Sequence, residues 1–95
     1  KIPPVIRSST VLKDPRGCLS ALCAALDVPF NDAMLSWPSG RRESDGVWAP
    51  HWYNKVEAST GFGAYKPNNP KLSSAELQVV EECLPDYQAM AQHAI

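Results

Sequence analysis

The stretch Asp14-Pro15-Arg16-Gly17-Cys18-Leu19-Ser20-Ala21-Leu22-Cys23-Ala24-Ala25-Leu26-Asp27-Val28-Pro29-Phe30 decides the fold class. Aspartate directly before proline is a helix start. The carboxylate accepts one of the backbone N–H groups that have no partner in the first turn, and proline at the first helical position gives up a donor that would have been free anyway. Cys18, Leu19, Leu22, Cys23 and Leu26 then recur at intervals of three and four, which places them on one face of a helix. Val28 before Pro29 marks the far limit, because the residue preceding a proline is pushed out of helical angles. The reading is an amphipathic helix from about Pro15 to Leu26.

Working towards the N-terminus, Pro3-Pro4 disfavours helix, and the β-branched run from Val5 to Leu12 reads as a short strand. A lone strand has no partner in the chain, so it is expected to pair with a second copy, pack on a helix, or stand as a leftover of a larger sheet. Downstream, Asn31 or Asp32 caps a helical turn through Ala33, Met34 and Leu35, and residues 38–46 form a polar loop rich in turn formers. Helix is expected again from Ala49 to Thr60, stopped by Gly61 and Gly63. Residues 65–71 are a connector. Ser73 or Ser74 caps a last helix, with Glu76 at the capping-box position relative to Ser73, and Leu77, Val80, Leu84, Tyr87 and Met90 form its apolar stripe. Pro85 is expected to break or kink it. These elements make residues 1–95 one mainly α domain, a small bundle of three to four short helices with one N-terminal extended segment.

Composition narrows the function. The chain has 95 residues, a net charge of −1 and 20% charged residues. That charge balance lacks the dense basic face that nucleic acids and anionic membranes select, so neither is an expected partner. No run approaches the roughly 20 apolar residues of a membrane span, and a soluble, cytoplasmic chain is expected. The three cysteines, Cys18, Cys23 and Cys83, show no CxxC spacing and read as small buried hydrophobes of a reducing compartment. His51 and His93 form no HxxxH or HExxH pair, so no metal or other cofactor is expected. His51 lacks a nucleophile and an orienting carboxylate. Glu81, Glu82 and Asp86 read as a solvated helix face, because neighbouring carboxylates on a helix point in different directions.

The Asp14–Phe30 block resembles the D-P-x-x-x-L-x-x-L-C-x-x-L-G-[IL]-P-F segment of bacterial sulfotransferase-family proteins. Residues 31–38, 45–53 and 59–62 resemble the same proteins in the same order, so the likeness covers residues 3–92. The resemblance implies the C-terminal third of a phosphate-binding-loop α/β fold that carries a sulfuryl group from 3′-phosphoadenosine 5′-phosphosulfate to an alcohol or amine. The strand–loop–helix that grips the phosphosulfate, and the family's catalytic base, have no counterpart in these residues. Its R-K-G…G-x-W loop, which contacts the cofactor's 3′-phosphate, is matched in part by Arg41, Arg42, Gly46 and Trp48. The match departs from the pattern where Ala49 follows the tryptophan and where Glu43 and Asp45 add negative charge.

Two functional expectations follow. The first is a non-catalytic module derived from a sulfotransferase-like protein, a fragment or a stand-alone gene-cassette product, that self-associates as a homodimer or binds a protein partner. The second is the C-terminal part of a sulfotransferase that acts when a phosphate-binding-loop half completes it. Trp37, Trp48, Trp52, Phe62 and Tyr65 are read either as the core between the helices or as an interaction surface left where a nucleotide-binding half once packed.

Overall fold

Asp14 joins two helices in the computed structural model, which describes residues 2–95. Its backbone N–H donates to the Thr10 carbonyl at 3.0 Å and closes α1 (Ser8–Lys13), while its Oδ1 accepts from the Gly17 N–H at 3.0 Å and opens α2 (Pro15–Ala25). The helix start read from Asp14-Pro15 is therefore present as expected. α2 ends in a Schellman motif: the Val28 N–H reaches the Cys23 carbonyl at 2.9 Å and the Asp27 N–H the Ala24 carbonyl at 3.2 Å. Asp27 consequently takes a left-handed conformation, φ 56°.

Asp27 stands where the sulfotransferase pattern has glycine, so an L side chain occupies a position that favours none. Left-handed backbone costs an L residue about 1–2 kcal/mol, against which glycine loses more freedom on folding. Asp27→Gly should therefore raise stability by about 0.5–1 kcal/mol, measured as a higher urea midpoint at unchanged slope. An unchanged or lower midpoint would mean that Asp27 has a local role of its own.

The strand expected over Val5–Leu12 is corrected: residues 8–13 are helical. A strand without a neighbour would leave its backbone groups unpaired, whereas the helix satisfies them locally, with Val11 N–H on the Arg7 carbonyl at 3.1 Å. Packing of α1 against α2 half-buries Ser9 to Leu12 and outweighs the few tenths of a kcal/mol that β-branched residues cost a helix. Extended backbone persists only upstream of α1. There Val5 forms a parallel bridge with Ala94, and its carbonyl accepts the Ile95 N–H at 2.9 Å. The partner of the extended segment is the chain's own C-terminal end, not a two-fold copy.

Asn31 Oδ1 accepts the Ala33 N–H at 2.8 Å and opens a 3₁₀ turn over Asp32–Met34, as the capping residues imply. The helix expected from Ala49 to Thr60 is two pieces, α3 (Ala49–Trp52) and α4 (Asn54–Ala58), interrupted at Tyr53, whose φ −103° and ψ 17° are not helical. A ladder-like contact then ties residues 36–40 to 57–61. Ser36 bridges Gly61, the Trp37 N–H donates to the Thr60 carbonyl at 2.9 Å, and the Gly40 N–H to the Glu57 carbonyl at 2.7 Å. Gly61 keeps this approach close: a Cβ would lie 3.1 Å from the Leu35 carbonyl oxygen, a tight contact.

α5 (Ser74–Ala91) is capped by Ser73, whose Oγ accepts the Glu76 N–H at 3.2 Å. It runs through Pro85 without the expected break. Pro85 lies on the polar side of the helix, where water can solvate the carbonyl that lost its amide partner. The architecture is mainly helical, with five helices and no β-strand among the described residues.

Burial is concentrated at few places. Cys18, Cys23 and Ala49 are buried, and α5 has no buried residue. The radius of gyration is 16.7 Å, against about 12 Å for a compact chain of this length. The accessible surface is 7835 Å2, against about 5,400 Å2 for a compact 10.4 kDa domain. Cys18 and Cys23 fit the expectation of buried free thiols, and Cys83 corrects it by standing exposed on α5. No helix among the described residues is long and apolar enough to cross a membrane.

Candidate functional site

The loop that carries Arg41 and Arg42 leaves the ladder at Pro38 and returns through a 3₁₀ turn, Glu43–Asp45, to Gly46. Arg42 is consumed by the loop itself. Its guanidinium donates to the Pro38 carbonyl at 2.7 Å and the Gly40 carbonyl at 3.5 Å, and its backbone N–H donates to Asp45 Oδ2 at 3.0 Å. Asp45 thus closes the turn through its carboxylate. Arg41 is exposed and has no side-chain hydrogen bond or ion pair among the described residues. Gly46 sits at φ 79°, which favours glycine, and redirects the chain into Val47 and Trp48.

The aromatic residues fall into three separate pairings. Trp37 meets Phe62 edge to face at a centroid distance of 5.4 Å, and its Nε1 donates to Ser59 Oγ at 2.9 Å. Trp48 and Trp52 stack obliquely at 5.7 Å across α3. Tyr65 carries the Lys13 ammonium 4.5 Å above its ring. Trp37 is half-buried, in keeping with a core role, whereas Trp48 is 62% exposed, Trp52 76% and the adjacent Val47 81%. The core reading is therefore corrected for the second pair: the fully buried residue of α3 is Ala49, and the tryptophans beside it face solvent.

Three cavities lie elsewhere. One of about 210 Å3 is enclosed by Val5, Ile6, Arg7, Ser8, Tyr87 and Met90, where the extended segment meets the end of α5. A more open one of about 440 Å3 is lined by Ile6, Val11, Leu12 and Phe62, and a third of about 330 Å3 by Pro3, Pro4, Ala25 and His93. None is lined by Arg41, Arg42, Gly46 or Trp48. No group of three or more His, Cys, Asp or Glu side chains with metal-binding geometry occurs among the described residues.

The apolar stripe read on α5 from the sequence is an exposed face. Leu77, Val79, Val80, Leu84, Tyr87 and Met90 are all exposed. The apolar stripe was legible from spacing; its lack of a neighbour was not, because periodicity shows which side of a helix is apolar and not what covers it.

A sulfotransferase-domain family model matches residues 3–94. Branched-chain-amino-acid aminotransferase-like protein 1 of Arabidopsis thaliana is 37% identical over 91 residues, and branched-chain-amino-acid aminotransferase-like protein 2 of the same plant is 34% identical over 91 residues. Each alignment covers 96% of this chain and 16% of the relative, so the chain spans about one-sixth of the length of the curated relatives it matches. No solved structure matches the chain significantly. These relatives are plant proteins, and the bacterial attribution rests on the sequence resemblance alone. With nearly every residue inside the family match, and with the Asp14-Pro15 helix start and the loop up to Trp48 both within it, the chain belongs to the sulfotransferase domain family.

Proposed function

We propose that this chain is a non-catalytic, protein-binding module of sulfotransferase-domain origin. The observation that carries the reading is α5, an 18-residue helix with a continuous apolar side and no buried residue. Exposed apolar area on this scale is costly in water and marks a surface that another polypeptide covers. Catalysis finds less support: Arg42 is occupied by backbone carbonyls, and the loop bearing it opens onto none of the three cavities. Occupancy by a second copy would give the homodimer expected from the sequence, and a different protein would give a heteromeric complex.

The test separates binding from chemistry. Light scattering over a dilution series, with and without adenosine 3′,5′-bisphosphate, should give a mass that nucleotide leaves unchanged. A hydrophobic dye should bind the folded chain and be lost on Leu77→Asp. A chain that neither binds dye nor associates with any protein would overturn the reading.

A second reading is favoured by Arg41, whose guanidinium is free at the tip of a loop matching the family's 3′-phosphate contact. On it, the chain is the C-terminal part of a sulfotransferase that uses 3′-phosphoadenosine 5′-phosphosulfate once a phosphate-binding-loop half is supplied. Calorimetric titration of adenosine 3′,5′-bisphosphate would then show binding only with that half present. Arg41→Ala should weaken it about tenfold, the worth of one charge-assisted hydrogen bond. Absence of binding in both settings would reject it.

A further inference from the structure

We infer that the partner covering α5 is a protein surface with an apolar groove rimmed by lysine or arginine, and not a second α5. The inference rests on the binding-module reading and specifies its partner. At about 100° per residue, Leu77, Val80, Leu84, Tyr87 and Ala91 fall within an arc of about 80°, and Cys83, Met90 and Val79 widen it to about 160°. Leu77 is 49% exposed, Val80 49% and Leu84 43%, so the face is open over these turns, while the Val5–Ser8 segment stands beside Tyr87 and Met90 at its C-terminal end.

Charge decides the occupant. α5 carries Glu76, Glu81, Glu82 and Asp86 and no lysine or arginine. Glu81 falls just outside the Leu77 edge of the arc, Asp86 just outside the Val79 edge, and Glu76 lies within the arc near its N-terminal end. Both rims are therefore acidic. Two such helices related by a two-fold axis would bring Glu81 and Asp86 of each against carboxylates of the other, which opposes pairing as like charges at flanking positions do in coiled coils. Arg7 lines the cavity with Tyr87 and Met90 at the C-terminal end of the face. It can meet only the Glu76 end of an antiparallel copy and leaves the central carboxylates unanswered. A groove with basic rims instead pairs each edge while its floor takes the leucines.

The chain as a whole exposes about 2,400 Å2 more than a compact domain of its mass, and α5, with no buried residue, contributes to that excess.

Three synthetic helical peptides test this with the full 95-residue chain: a leucine seam flanked by lysine, the same seam flanked by glutamate, and the lysine peptide with its seam scrambled. Fluorescence anisotropy should show micromolar binding of the first alone, weakened at least about tenfold by raising sodium chloride to about 0.5 M. The double charge reversal Glu81→Lys with Asp86→Lys should transfer preference to the glutamate-flanked peptide. Leu84→Asp, at an exposed position with the fold checked by circular dichroism, should abolish both. Equal binding of the lysine- and glutamate-flanked seams, lost with Leu84→Asp, would overturn the charge assignment and leave the module reading standing. A dimer through α5 at low micromolar concentration would do the same. Binding of no seam peptide, with Leu84→Asp without effect, would overturn both.

Discussion

Trp37→Ala should cost about 2–3 kcal/mol, half or more of the stability available to a chain of this size. Emptying a fully buried tryptophan site costs about 3–5 kcal/mol, and the half-burial of Trp37 reduces the figure. Two interactions end on this side chain, and a third continues from one of them. The indole edge packs on Phe62, Nε1 holds Ser59 Oγ, and the same Ser59 hydroxyl donates to the Val56 carbonyl at 2.6 Å, joining the ladder to the end of α4. Losing the ring leaves backbone bonds, such as that from the Gly40 N–H to the Glu57 carbonyl, to tie the loop at residues 38–46 to α4. With native stability of about 0.05 kcal/mol per residue at the low end, about 5 kcal/mol for 95 residues, the variant would keep about 2 kcal/mol. Trp37→Phe keeps the ring contact with Phe62 and loses only the hydrogen bond, a cost of about 1 kcal/mol. Urea unfolding of the two variants separates packing from hydrogen bonding. Equal losses would show that the indole N–H, and not the ring, holds the loop.

The parts of this fold that were legible share one property: they are decided within a few residues. Asp14, Asn31 and Ser73 each supply an oxygen to an N–H two or three residues ahead, so sequence order alone places the caps. Readings failed where the outcome depended on distant residues. Val5–Leu12 has the composition of a strand, yet α2 gives Val11 and Leu12 a surface to pack on, and the backbone partner of Val5 lies at the other end of the chain. Helix from Ala49 to Thr60 was interrupted because residues 57–61 pair with 36–40, an event of long sequence separation. The candidate site was legible as a list and not as a place. Arg41 and Arg42 are adjacent and look equivalent in sequence, but one guanidinium is spent on two carbonyls and the other is free. Trp37 and Trp48 likewise look alike in sequence; one is held in a hydrogen-bonded pair and the other stands in water.

Pro85→Ala should strengthen α5 by about 1–3 kcal/mol, the largest stabilisation expected from a single change. Proline costs a helix interior about 3 kcal/mol relative to alanine, because it has no N–H to give the carbonyl four residues back and its ring crowds that carbonyl. In α5 the affected carbonyl is that of Glu81, on the polar side of the helix, where water substitutes for the missing amide. The cost is thereby reduced and not removed. α5 has no buried residue, so the gain should appear chiefly as local protection and less as a shift of global unfolding. Hydrogen exchange at residues 82–91 should slow by about ten- to a hundredfold, and helical ellipticity should rise. Unaltered exchange would mean that the helix is limited by fraying from its uncovered face and not by the proline. The same variant bears on what α5 is for. Leu77 and Val80 precede Pro85 by two turns, and Tyr87 and Met90 follow it, so any bend at Pro85 sets the angle between the two halves of the apolar face. A partner groove shaped to that angle should bind Pro85→Ala more weakly even though the helix is more stable, and this opposition of stability and affinity distinguishes a surface shaped for a partner from a helix that is merely uncovered.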